Sequence, residues 1–119
     1  GHVSDTELER LYADCDLFIA PSRYESFGLI FLEAMNFAKP VIGCDSGGPR
    51  DIIVDGETGR LVPPGDPEAL AAAIVELGGA SESRRAMGRA GRARLLEFFT
   101  HRAMAEGFVA LYRRMLAAA

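Results

Sequence analysis

Asp16-Leu17-Phe18-Ile19-Ala20-Pro21-Ser22-Arg23-Tyr24-Glu25-Ser26-Phe27-Gly28-Leu29-Ile30-Phe31-Leu32-Glu33 contains one short apolar run, a polar loop and a second apolar run. Residues 16–20 are too few for a helix, and Pro21-Ser22 ends the run, so it reads as a buried strand. Gly28 frees the backbone where a helix can start, and residues 29–37 are helix-compatible, ending near Ala38. A strand, a glycine-bearing turn and a helix form the arrangement by which α/β proteins aim backbone N–H groups at an anion. Glu25 falls in the loop and Glu33 about 12 Å further along the helix axis at roughly 1.5 Å per residue. An extended ligand with an anionic middle and hydroxyl groups at both ends suits that spacing. A nucleotide-sugar is such a ligand.

Working outward, Ser4 to Asp14 reads as a helix. Ser4 and Glu7 have capping-box spacing, Val3 and Leu8 can staple, and Leu8, Leu11 and Tyr12 share a face. Val41 to Cys44 is a second buried strand, and Gly47-Gly48 opens a brief helix running through Ile52-Ile53-Val54. After turns at Asp55-Gly56 and Thr58-Gly59, residues 60–62 make a third strand. Asp66 caps a helix with Pro67 in its first position, and Gly78-Gly79 is expected to stop it. Two further helices are expected at about 83–98 and 100–116. Strands alternating with helices over short links imply a parallel sheet built by right-handed crossovers. The fold class is therefore α/β: a partial, three-layer, Rossmann-like sheet of about three strands followed by C-terminal helices.

The motifs, taken in order, resemble those of a known family. Pro21 to Leu29, Glu33-Ala34-Met35 and Lys39-Pro40-Val41-Ile42 are similar to the nucleotide-sugar half of group 1 retaining glycosyltransferases, whose two glutamates stand eight positions apart as here. The likeness runs on through Gly47-Gly48-Pro49, Asp55 to Gly59 and Leu61 to Asp66, then fades into the helical tail. It implies a two-domain GT-B parent, with residues 1–119 the C-terminal part of its donor-binding domain, a single incomplete domain. Strands that precede this point in the family would pair with residues 16–20. Their absence leaves a raw edge that invites a homodimer or a swapped assembly.

From spacing alone Glu33 either faces solvent, pairs with Lys39 or meets a ligand. The resemblance implies that it accepts hydrogen bonds from the donor's ribose hydroxyls, work suited to a carboxylate facing a vicinal diol. It likewise places Glu25 at the transferred sugar near the anomeric carbon, as the catalytic residue. Both an electrostatic and a nucleophilic role are compatible with that place. Ser26, Phe27, Gly28 and Leu29 belong to the same donor-binding loop, the last three through backbone N–H groups; Phe27 also reads as a core residue. Gly47 and Gly48 either face the same crevice or make an ordinary turn. Asp51 stands where the family has glutamate, and Ala38 where glycine is common; Ala38 is poorly suited to a left-handed helix cap.

Charge is uneven: residues 1–76 are net −9 and residues 77–119 net +5. The basic tail reads as the solvated faces of amphipathic helices, or as a surface for peripheral contact between the parent and an anionic membrane. No aromatics alternate with its arginines, so nucleic acid is not an expected partner. Cys15 and Cys44 form no Cys-x-x-Cys pair and read as small buried residues in a reducing compartment. His2 and His101 lack partners at ligand spacing, so no metal site and no cofactor are expected, the nucleoside diphosphate sugar being substrate. No apolar run reaches roughly 18 residues and no leader is evident, so a cytoplasmic protein is expected. The expected function is donor binding for glycosyl transfer. The fragment should be inactive without the N-terminal acceptor domain, which would hold the acceptor site and any base for its hydroxyl; the resemblance places the phosphate-binding basic residues upstream of residue 1. A non-catalytic nucleotide-binding or assembly domain is the alternative. A dinucleotide oxidoreductase is excluded because no Gly-x-Gly-x-x-Gly follows a strand.

Overall fold

The computed structural model describes residues 1–119. Its elements are α1 (Asp5–Asp14), β1 (Phe18–Ala20), α2 (Leu29–Asn36), β2 (Val41–Cys44), α3 (Pro49–Ile52), β3 (Gly59–Val62), α4 (Pro67–Gly79), α5 (Ser81–Phe98) and α6 (His101–Ala118). The three strands form one parallel sheet in the order β1-β2-β3. Phe18 pairs with Val41, and Val41 in turn with Gly59. Only glycine fits at position 59, because a Cβ there would strike the Val41 carbonyl oxygen.

β2 is the buried middle strand, so its residues alternate between two apolar clusters. Val41 packs with Tyr12, Phe31, Met35, Ile52 and Ile53, from α1, α2 and the α3 region. Ile42 and Cys44 pack with Val62 and with Ala73 and Leu77 of α4. The result is helix, sheet, helix: the three layers expected of a Rossmann-like unit. Helix α5 touches α2, α4 and β3, linking the two outer layers.

Local signals explain most of the boundaries. The Ser4 side chain accepts from the Glu7 N–H, and the Glu7 carboxylate accepts from the Ser4 N–H, completing the capping box on α1. Asp66 accepts from the Ala69 N–H with Pro67 in the first turn of α4. Several expectations need correction. The first strand begins at Phe18, not Asp16, because pairing starts where the Phe18 N–H donates to the Pro40 carbonyl. The helix after Gly28 ends at Asn36 in a Schellman arrangement, Ala38 N–H to Met35 O and Lys39 N–H to Ala34 O. Ala38 does adopt the left-handed conformation, with φ 54°, despite its side chain.

Helix α4 does end at the expected glycine pair, with Gly79 its last residue and Ala80 its C-cap, but neither glycine adopts the left-handed conformation. The α4 carbonyls of Leu77 and Gly78 accept from the Arg84 guanidinium instead. That pattern recurs along α5. Arg92 donates to the Asn36 carbonyl at the end of α2, and Arg94 to the Asp51 and Ile52 carbonyls of α3. The arginines expected to form a solvated face therefore include three that satisfy the orphan carbonyls of other helices. Gly88 permits this approach, since a Cβ there would strike the Ala38 carbonyl oxygen.

Candidate functional site

The loop from Pro21 to Gly28 leaves the C-terminal end of β1 and delivers the chain to α2. Gly28 makes the turn at φ 100°, a value that strains any side chain, and a Cβ there would also lie 2.9 Å from the Phe31 ring. No side chain caps α2; the Phe31 N–H donates to the Gly28 carbonyl, and the Leu29 and Ile30 N–H groups stay open at the positive end of the helix dipole.

Gly47 and Gly48 lie directly beneath this loop. The Gly48 N–H donates to the Glu25 carbonyl at 2.9 Å. A Cβ at Gly47 would strike the Glu25 carbonyl oxygen, and one at Gly48 the Phe27 carbonyl oxygen. The glycine pair is thus more than an ordinary turn: it lets the β2–α3 connection pack backbone to backbone against residues 25–27.

Glu33 sits on the fifth residue of α2, exposed, and its partner is not Lys39. The buried Tyr12 hydroxyl donates to Glu33 Oε2 at 2.7 Å, whereas Lys39 Nζ donates to the Ala13 carbonyl at the end of α1. Burial raises the Tyr12 pKa above its ordinary value, and the hydrogen bond to Glu33 and the glutamate's charge raise it further. The hydroxyl therefore stays protonated and acts as a donor.

Two cavities meet at Glu33. One, about 560 Å³, runs between α2 and the α5–α6 junction and is bordered by Phe27, Leu29, Glu33 and Phe99 among others. The other, about 300 Å³, lies between α1 and α2, with Tyr12, Glu33 and Asn36 in its wall. Glu33, Phe27 and Leu29 are thereby brought to one cavity, while Glu25, Ser26 and Gly28 border neither. Phe27 is not a core residue; it is 46% exposed, and Leu29 is 63% exposed. No lysine or arginine borders either cavity, and nowhere do three or more potential metal ligands cluster. Tyr12 is the site neighbour that sequence reasoning missed. The periodicity of α1 groups it with Leu8 and Leu11 on one face, although a buried tyrosine hydroxyl regularly needs a partner.

Comparison with known proteins agrees with this architecture. The family described as glycosyl transferases group 1 matches residues 1–94. The chain is 40% identical over 110 residues to the D-inositol 3-phosphate glycosyltransferase of Segniliparus rotundus, covering 92% of this chain and 24% of that one. To the MMP alpha-(1->4)-mannosyltransferase of Mycolicibacterium hassiacum it is 34% identical over 116 residues, covering 97% and 28%. It spans about a quarter of the length of both relatives. Among solved structures, sucrose-phosphate synthase from Thermosynechococcus elongatus superposes with a TM-score of 0.85 at 37% identity, over 100% of this chain and 30% of that one. HepE of Anabaena in complex with UDP-glucose gives 0.75 at 27%, over 85% and 29%. The C-terminal domain of a group 1 glycosyltransferase from Francisella tularensis gives 0.78 at 29%, over 85% and 52%. With an ordered motif string, a three-layer parallel sheet and these likenesses in agreement, the chain belongs to the group 1 glycosyltransferases and corresponds to part of their Rossmann-like, GT-B C-terminal domain.

Proposed function

We propose that this chain holds a nucleoside diphosphate sugar for a retaining transfer of its glycosyl group. The observation that carries the reading is the tip of α2 without a side-chain cap, with Glu33 about one turn into the helix and lining the same cavity as Phe27 and Leu29. HepE, similar in fold, has been solved with UDP-glucose. In the proposed arrangement the diphosphate faces the N–H groups of Phe27–Leu29 and Glu33 accepts from the ribose diol. Ser26 and the Gly47-Gly48 pair complete the loop.

As the bond from the anomeric carbon to the diphosphate breaks, the leaving group takes the electron pair, and the helix tip stabilises the charge that develops. Glu25 supports the oxocarbenium-like carbon. The acceptor hydroxyl bonds to that carbon, and its proton passes to a base outside these 119 residues. A cytoplasmic parent carrying an acceptor domain is part of the same proposal. So is its contact with a membrane surface through the basic tail.

Calorimetry of this chain with UDP-, GDP- and ADP-linked glucose and mannose tests it. At least one should bind, and Glu33→Gln should weaken that binding about tenfold, equivalent to 1.4 kcal/mol. Failure of every donor to bind would overturn the reading in favour of an assembly domain. The absence of any lysine or arginine around the two cavities is the observation on that side. The isolated chain should transfer no sugar; measurable turnover would refute the dependence on an acceptor domain.

A further inference from the structure

We propose that Tyr12 is a positioning residue that sets the donor site's preference for a ribose over a deoxyribose by holding the Glu33 carboxylate. The inference rests on the donor-site reading above. Tyr12 lies 21 residues before Glu33 on a different helix, yet its hydroxyl reaches Oε2 at 2.7 Å. Its ring is locked from two sides. It stacks on Phe37 with centroids 5.7 Å apart at 16°, and it meets Phe18 at 5.6 Å and 45°. The hydroxyl therefore emerges from a fixed aromatic platform, 7% exposed as a residue.

Glu33 itself is exposed on α2, and an untethered glutamate there would sample several rotamers. One proton from Tyr12 removes that freedom. It occupies one lone-pair site of Oε2 and leaves Oε1 unengaged. The carboxylate is then prearranged to accept from two neighbouring hydroxyls, so a donor with both gains from the tether and a donor lacking the 2′-hydroxyl gains less. Because its pKa is raised, Tyr12 does not ionise near neutrality, and the tether persists across the physiological range.

The test is calorimetric titration of the full chain, wild type, Tyr12→Phe and Glu33→Gln, with UDP and with 2′-deoxy-UDP. Phenylalanine keeps the aromatic packing, and circular dichroism checks the fold. The wild type should prefer UDP. Tyr12→Phe should weaken UDP about fivefold while leaving 2′-deoxy-UDP nearly unchanged, and Glu33→Gln should abolish the preference. Equal weakening of both ligands by Tyr12→Phe would mean a merely structural role, and no weakening would mean no role; either overturns the proposal alone. If wild type binds none of UDP, GDP and ADP, or Glu33→Gln changes nothing, the donor-site reading falls and this inference with it; if GDP or ADP binds in place of UDP, the same comparison is made with that diphosphate and its 2′-deoxy form. A measurement free of substitution is the Tyr12 hydroxyl proton resonance. It should shift more with UDP than with 2′-deoxy-UDP, and equal shifts would refute the tether.

Discussion

Gly48 is a position where the fold cannot accept a side chain, because the Phe27 carbonyl fills the space its Cβ would need. Gly48→Ala should force the 25–28 loop away from β2 and cost about 2 kcal/mol or more, read as a lowered urea midpoint, together with loss of donor binding. Ala38 is the converse case. It holds φ 54° at the C′ position of α2, where an L side chain is strained. Ala38→Gly should therefore stabilise the protein by about 0.5–1 kcal/mol, seen as a raised thermal midpoint; a lowered one would refute the strain. Tyr12 makes a pH prediction. Its native pKa is raised, so its contribution to stability is complete below the unfolded value near 10 and is lost as pH climbs beyond it. Thermal stability should fall above about pH 10, and less steeply in Tyr12→Phe.

At the scale of elements, α5 does more than cover apolar surface. Arg84, Arg92 and Arg94 each close a helix that ends elsewhere in the chain, as caps supplied in trans. Arg94 is the best anchored, at 2.9 and 2.8 Å from two α3 carbonyls and lying 5.2 Å from the centroid of the Phe98 ring. Arg94→Met should cost about 1–3 kcal/mol in chemical unfolding, since it leaves those carbonyls without their charged donor. Lysine should not restore it, because an ammonium lacks the planar fork that serves two carbonyls at once. The same element view separates helix starts from helix ends. The starts of α1 and α4 were legible, because Ser4–Glu7 and Asp66–Pro67 cap from within three residues. The end of α2 was not, because Arg92 acts on it from another helix.

For the molecule as a whole, the extents are 53 × 33 × 31 Å, and α6 is a helix with no buried residue. Phe108, Tyr112 and Met115 on it are each more than half exposed. Removing residues 101–118 should therefore lower the thermal midpoint by only a few degrees; collapse of the fold would show that α6 contributes more than its burial indicates. β1 remains an edge with no neighbour on its outer side. Light scattering across a concentration series should show association if that edge pairs with a second copy, and a clean monomer at the highest concentration would remove that proposal.

Chain order alone determined the alternation of strand and helix, the glycine turn into α2 and the two capped helix starts, since each depends on neighbours a few residues apart. Tertiary structure decided the rest: the partner of Glu33, the purpose of the glycine pair, the left-handed Ala38 and the work of the arginines. Most of those contacts join residues on different elements, and apolar periodicity says which face is buried without saying which polar group will meet which once it is.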